Sequence, residues 1–208
     1  MAICAAACAS PPNRSPAPAS SPKESLHVNP ARIDRARSAL PAAYEVTDLN
    51  GPASPVTMWG YGARWSADPS ACAALADPAG ASTADGWSAS GPGGIVYAVV
   101  AAAPGTFNAA LDDECRRWTV SSGRTTGTVT SGPAPAIDDV PAIAMATASQ
   151  TVVEGGTETH SHAETVIAYL GDHVAFVAVV TDPGSPEPQL GADFAATLMK
   201  ETVSALRG

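Results

Sequence analysis

The sequence predicts a single α+β domain: a mainly antiparallel sheet bracketed by helices and held by one internal disulfide. Three observations predict it. Runs of β-branched and apolar residues, joined by short Gly-containing turns, fill the stretch from Ile143 to Thr181. Helical periodicity marks the two ends of the body, over Pro30 to Leu40 and over Ala192 to Leu206. Two cysteines, Cys72 and Cys115, lie in the body, well apart from Cys4 and Cys8 near the start. A chain of 208 residues suits one such domain, residues 29–208, behind a tail over residues 1–28.

Much of the 45% hydrophobic content is Ala. The larger apolar side chains still make up roughly a quarter of the chain, above the roughly 20% below which chains tend to stay disordered. Eleven basic residues face 20 acidic ones, for a net charge of −9 and a pI near 4.7. That balance argues against nucleic acid as a partner and against a polybasic membrane patch. No run of about 18 apolar residues is present, so contact with a membrane is expected only through a lipid anchor.

The start of the chain reads as an address and a tether. Met1 to Cys8 is small and apolar, and from Ala9 to Leu26 the residues are mostly Ala, Ser and Pro. Such a segment cannot bury enough surface to offset its ordering entropy, so a disordered spacer is expected. Small residues, one Cys and a Ser/Pro spacer look like the end of a bacterial lipoprotein signal, with Cys8 as the lipidated residue after Ala5-Ala6-Ala7. Only seven residues precede Cys8, and Ala5 stands where a lipobox prefers Leu, Val or Ile. The segment therefore reads as a truncated signal, or as an ordinary disordered N-terminus.

The body follows in order. Asn29-Pro30 opens a helix to about Leu40, with Ile33, Ala36 and Leu40 on one face, and Pro41 stops it. Tyr44 to Asp48 alternates as a strand and ends at an Asn50-Gly51-Pro52 turn. Val56 to Trp65 is aromatic and Gly-rich, an irregular strand or loop. Around Cys72, Asp68 can cap a short helix with Pro69 at its first position, ended by Asp77-Pro78. Two strands flank Gly91 to Gly94. A helix from Phe107 to Trp118, capped by Thr106, turns Leu111, Cys115 and Trp118 to one side. Thr119 to Thr130 reads as one exposed strand. Strands at Ile143 to Val153, Thr157 to Leu170 and Val174 to Thr181 are joined by turns at Gly155-Gly156 and Gly171 to His173. The closing helix presents Phe194, Leu198, Val203 and Leu206 inward.

Two inward cysteines on two helices of an exported chain favour a Cys72–Cys115 disulfide; the competing arrangement is two buried thiols. Neither has a second ligand at C-x-x-C spacing, so a metal site there is not expected.

The candidates for chemistry are few. Gly86 to Gly91 superficially resembles a nucleophile elbow around Ser88, but Ser90 stands where that motif needs Gly. Glu158, His160, His162 and Glu164 recur at every second residue, which on a strand lines two imidazoles and two carboxylates along one face. Zinc takes such ligands, yet same-face residues lie roughly 6–7 Å apart, which stretches a three-ligand site. A solvated sheet face is the competing use. Trp59, Tyr61 and Trp65 are separated by Gly and small residues and could line a groove for an apolar or sugar ligand. The competing use is core packing, in a chain short of large side chains. Gly91 to Gly94 precedes a strand and lacks the Lys of a phosphate-binding loop.

The stretches NPARIDRARSALPAAYEV, the Trp59 to Trp65 segment followed by ADPSACAALADP, GPGGIVYAVVAA, VVEGGTETHSHAE and DPGSPEPQLGADFAATLMKETVSALRG resemble a family of exported mycobacterial proteins, many of them lipoproteins, known as a domain of unknown function. The resemblance covers about residues 27–208. More remotely, the opening helix and strand, the Cys pair and the closing helix are similar to the extracellular sensor domain of a mycobacterial receptor Ser/Thr kinase. That second resemblance implies a disulfide-stapled α+β fold with a cleft proposed to bind a ligand. Neither supplies a catalytic residue. The expectation is a non-catalytic cell-envelope lipoprotein with a ligand-binding or sensor-like domain, anchored on the outer face of the plasma membrane. No cofactor or metal is expected. The partner would be a small apolar or glycosidic ligand, or an envelope protein. The alternatives are a metal-dependent hydrolase built on His160 and His162, and a protein-binding accessory subunit.

Overall fold

A computed structural model describes Met1 and residues 27–80, 82–103, 107–182, 184–185 and 190–208. Nine strands form one antiparallel sheet: β1 (Glu45–Pro52), β2 (Ser66–Asp68), β3 (Thr83–Gly91), β4 (Gly94–Ala102), β5 (Arg117–Ser122), β6 (Thr125–Gly132), β7 (Ala142–Val152), β8 (Glu158–Tyr169) and β9 (His173–Thr181). Their spatial order is β1-β3-β4-β9-β8-β7-β6-β5-β2. The strands from β5 to β9 are a continuous meander of hairpins, and β9 then pairs with β4. Single domain, antiparallel sheet and helices match the class read from the sequence.

The path from β1 to β2 positions everything else. These are the two edge strands, so the chain between them must cross the whole sheet. It does so as a strap carrying the one-turn helix α1 (Pro55–Met58), whose Ser54 and Thr57 form a capping box. After β2, a 3₁₀ turn at Ser70–Cys72 and helix α2 (Ala73–Ala76) continue over the same face. Val56, Trp59, Tyr61, Cys72 and Leu75 thereby pack on Val99, Val120, Val129, Ile143, Ile167 and Phe176. Gly127 makes room for this strap: a Cβ there would lie 2.1 Å from the Tyr61 hydroxyl.

The opposite face is covered only in part. A 3₁₀ helix at Pro30–Ala39, with Asn29 accepting from the Ala31 N–H, and the long helix α4 (Ala192–Arg207) lie over β3, β4, β9 and the second half of β8. Ile33, Ala36, Leu198, Met199, Val203 and Leu206 meet Trp87, Val96, Val100, Val166 and Val177 there. β9 is consequently buried on both faces.

Four expectations need correction. β1 runs on through Gly51 to Pro52, because residues 45–52 all have partners on β3. The helix before Cys115 is shorter than read: α3 spans Ala109–Glu114, Asn108 caps it, and Cys115 closes it. Thr106, the expected cap, lies outside the described residues. Asp68 belongs to β2 and Pro69 to the cap of the 3₁₀ turn. Finally, residues 119–130 are a hairpin, since Gly123 at φ +59° turns β5 back into β6.

Candidate functional site

The strap decides the fate of the aromatic candidates. Trp59 is 4% exposed and Tyr61 2%. The Trp59 indole N–H donates to Thr165 Oγ1 at 2.9 Å, and its ring meets Trp118 at a centroid distance of 6.4 Å. The Tyr61 hydroxyl bonds Ser149 Oγ at 2.9 Å. Trp65 is half-buried against the same core. Both polar tips are thus satisfied inside, as buried Trp and Tyr require. Trp59, Tyr61 and Trp65 cover the sheet and do not form the expected groove wall. Cys72 and Cys115 are joined, with Cα atoms 5.7 Å apart, tying the end of the strap to the end of α3.

His160 and His162 stand on one face of β8 as the alternation predicted, and both are exposed. His160 Nε2 lies 4.0 Å from Glu158 Oε2. Among the described residues, no three His, Cys, Asp or Glu side chains gather as a metal site would need. Ser88 sits in the middle of β3, paired with Thr47 and Tyr97, away from any strand-to-helix elbow. Cys8 lies outside the described residues. No described helix is long and apolar enough to cross a membrane.

What the geometry does assemble is an open, concave half-face of the sheet. Beyond α4, the outward positions of β5 to β8 have no cover among the described residues. They carry Thr119 and Ser121, then Thr126 and Thr128, then Ala146, Ala148 and Gln150, then His160, His162 and Glu164. A shallow depression of about 490 Å³ occupies the Thr, Gln and His part. It runs into a groove of about 520 Å³ between α4 and strands β6 to β8. Ala144, Ala146 and Val166 floor this groove, Pro133 and Pro135 rim it, and Ala192, Ala195 and Ala196 of α4 wall it. Three charged side chains line it: Glu164, Asp193 and Lys200.

Glu164 is the electrostatically unusual member. Burial raises its carboxyl above the ordinary 4.5, and nearby His162 partly offsets the rise. Its cross-strand neighbours are Ala146 and Val179, neither able to hydrogen-bond through its side chain. A smaller cleft of about 220 Å³ at Leu75, Leu111 and Tyr169 has no such group. There burial, with help from Asp112, pushes the Tyr169 phenol up to about 12, so it stays neutral.

The sequence reading found His160, His162 and Glu164 but missed the groove. The available signal was the repeat of Ala at 142, 144, 146 and 148, which predicts one shallow strand face. Where α4 would stop over that face is a tertiary fact.

Fold and surface together define a disulfide-stapled α+β module with one strap-covered and one half-open sheet face. The chain belongs to the DUF5642 family, a domain of unknown function whose family model matches residues 29–207. No curated protein matches it. Among solved structures, it is similar to an uncharacterised Rv0999 ortholog from Mycobacterium smegmatis, with a TM-score of 0.64 at 17% identity, over 88% of this chain and 98% of that one. It is also similar to the extracellular domain of PknH from Mycobacterium tuberculosis, with a TM-score of 0.48 at 15% identity, over 87% of this chain and 92% of that one. The first likeness shows the fold. At these identities no site residue is carried over from either.

Proposed function

We propose that this protein is a non-catalytic, exported binding module of the cell envelope, held to the membrane by a lipid on Cys8. Its contact surface is the open half-face of β5 to β8 together with the groove beside α4. One observation carries the reading: the strap packs its aromatic side chains into the core on one sheet face, while the other face keeps a groove of about 520 Å³ and a hydroxyl-rich shelf beside it. That volume falls within the range of small-molecule sites, which combine apolar walls with a few polar groups. The groove has both, in its Ala and Pro lining and in Glu164, Lys200 and Thr130. The Ala, Pro and Thr side chains that line most of it are short, so ordering them on binding costs little entropy.

Export is supported by the disulfide, since such bonds persist in oxidising compartments. The occupant is a small apolar or glycosidic molecule, or a segment of an envelope protein. Native mass spectrometry of protein purified from its host's envelope tests this. The expected spectrum shows an intact disulfide, a lipid-modified N-terminal segment and a bound ligand lost on unfolding. An unlipidated chain with free body thiols and no ligand would overturn the reading.

A further inference from the structure

The geometry points to Glu164 as the anchor for a primary ammonium group carried on a short apolar stem, seated in the groove between α4 and strands β6 to β8. This deepens the proposed function and rests on it for location only. The other two charges in the groove have reasons to be where they are. Asp193 lies in the first turn of α4, where the helix N–H groups favour a carboxylate. Lys200 is exposed and keeps its ammonium in water. Glu164 has only nearby His162 acting on it through space. It is half-buried, its carboxylate makes no hydrogen bond or ion pair among the described residues, and Ala146 and Val179 flank it across the sheet.

A carboxylate without a hydrogen bond in partly desolvated surroundings is unfavourable, and an incoming cation would lessen that penalty. The floor beside it is apolar: Ala144, Ala146 and Val166 offer a place for methylene groups but no hydrogen bond. A carboxylate beside such a floor selects a ligand with positive charge at one end and hydrocarbon behind it. An anionic or uncharged ligand of the same length gains nothing from Glu164.

The site's response to pH follows from the groups that face it. From β8 this is His162, from α4 Asp193 and Lys200, and from β6 and β7 only uncharged side chains. As pH falls, Glu164 takes up a proton early because burial raises its carboxyl, and its loss of charge weakens ammonium binding.

The test is a titration of the isotope-labelled full chain with n-butylammonium, followed by NMR, with n-butanol as the uncharged control. Near neutral pH, saturable shifts are expected at Ala144, Ala146 and Glu164, with Kd on the order of millimolar. Butanol, and the isosteric variant Glu164→Gln titrated with butylammonium, should each bind about tenfold more weakly or worse. Lowering the pH through the carboxyl range should weaken binding by the wild-type protein and leave the residual binding of Glu164→Gln unchanged. Equal binding of butanol, undiminished binding by Glu164→Gln, or no saturable shift up to about 50 mM would overturn the assignment. Because the probe replaces any natural ligand, such a failure leaves the binding-module reading intact. Recovery of no ligand from the envelope sinks that reading alone.

Discussion

Replacing Trp59 with Ala should lower the stability of the domain by about 3–5 kcal/mol, the cost of emptying a core Trp site. Two contributions add. The indole is lost from its contacts with Trp118 and the strap, and the Thr165 hydroxyl, buried at 1% exposure, loses its partner. An unsatisfied buried hydroxyl costs about 1–3 kcal/mol by itself. Denaturant unfolding should show the midpoint falling with little change in slope. Ligand affinity measured on the folded fraction should stay intact, since Trp59 faces away from the open half-face. A shift below about 1 kcal/mol combined with lost binding would restore the aromatic-groove reading and remove the strap from the core.

Loss of the Cys72–Cys115 bond is the second large effect. The bond closes a 43-residue loop, for which chain entropy predicts a contribution of roughly 3–4 kcal/mol. It also fixes the end of the strap against α3, so the variant with both cysteines changed to Ser should unfold at markedly lower temperature and expose residues 53–80 to protease first. Both cysteines are 0% exposed. Reductant should therefore act on the folded protein only as fast as it opens, and alkylation under denaturing, non-reducing conditions should label neither. Two labelled body thiols in envelope-purified protein would contradict both the staple and the exported location.

Much of the fold was legible because local chemistry announced it. Gly155-Gly156 and Gly171 mark the turns of the meander, and the 3.6-residue period of Leu198, Val203 and Leu206 marks α4. The β5–β6 hairpin was not legible, because its Gly123 turn sits in a run of Ser and Thr where alternation has no contrast. The strap was harder still. Trp59 and Tyr61 gave the same sequence signal whether they faced a ligand or a core. The deciding partners, Thr165 and Ser149, are 106 and 88 residues away. At the site, the alternation of residues 158–164 placed Glu164 on the right face. That it lines a groove depends on where α4, from the far end of the chain, stops beside it, and this could not be read locally.

Hydrogen exchange on envelope-purified protein, compared with the same protein refolded free of ligand, tests the central claim most directly. That claim is that contact is made on the open half-face. Ligand should slow exchange in peptides from β6 to β8 and from residues 192–200, where the groove and shelf lie, and leave the strap at residues 53–65 unchanged. Protection confined to the strap, or no difference between the two preparations, would contradict it.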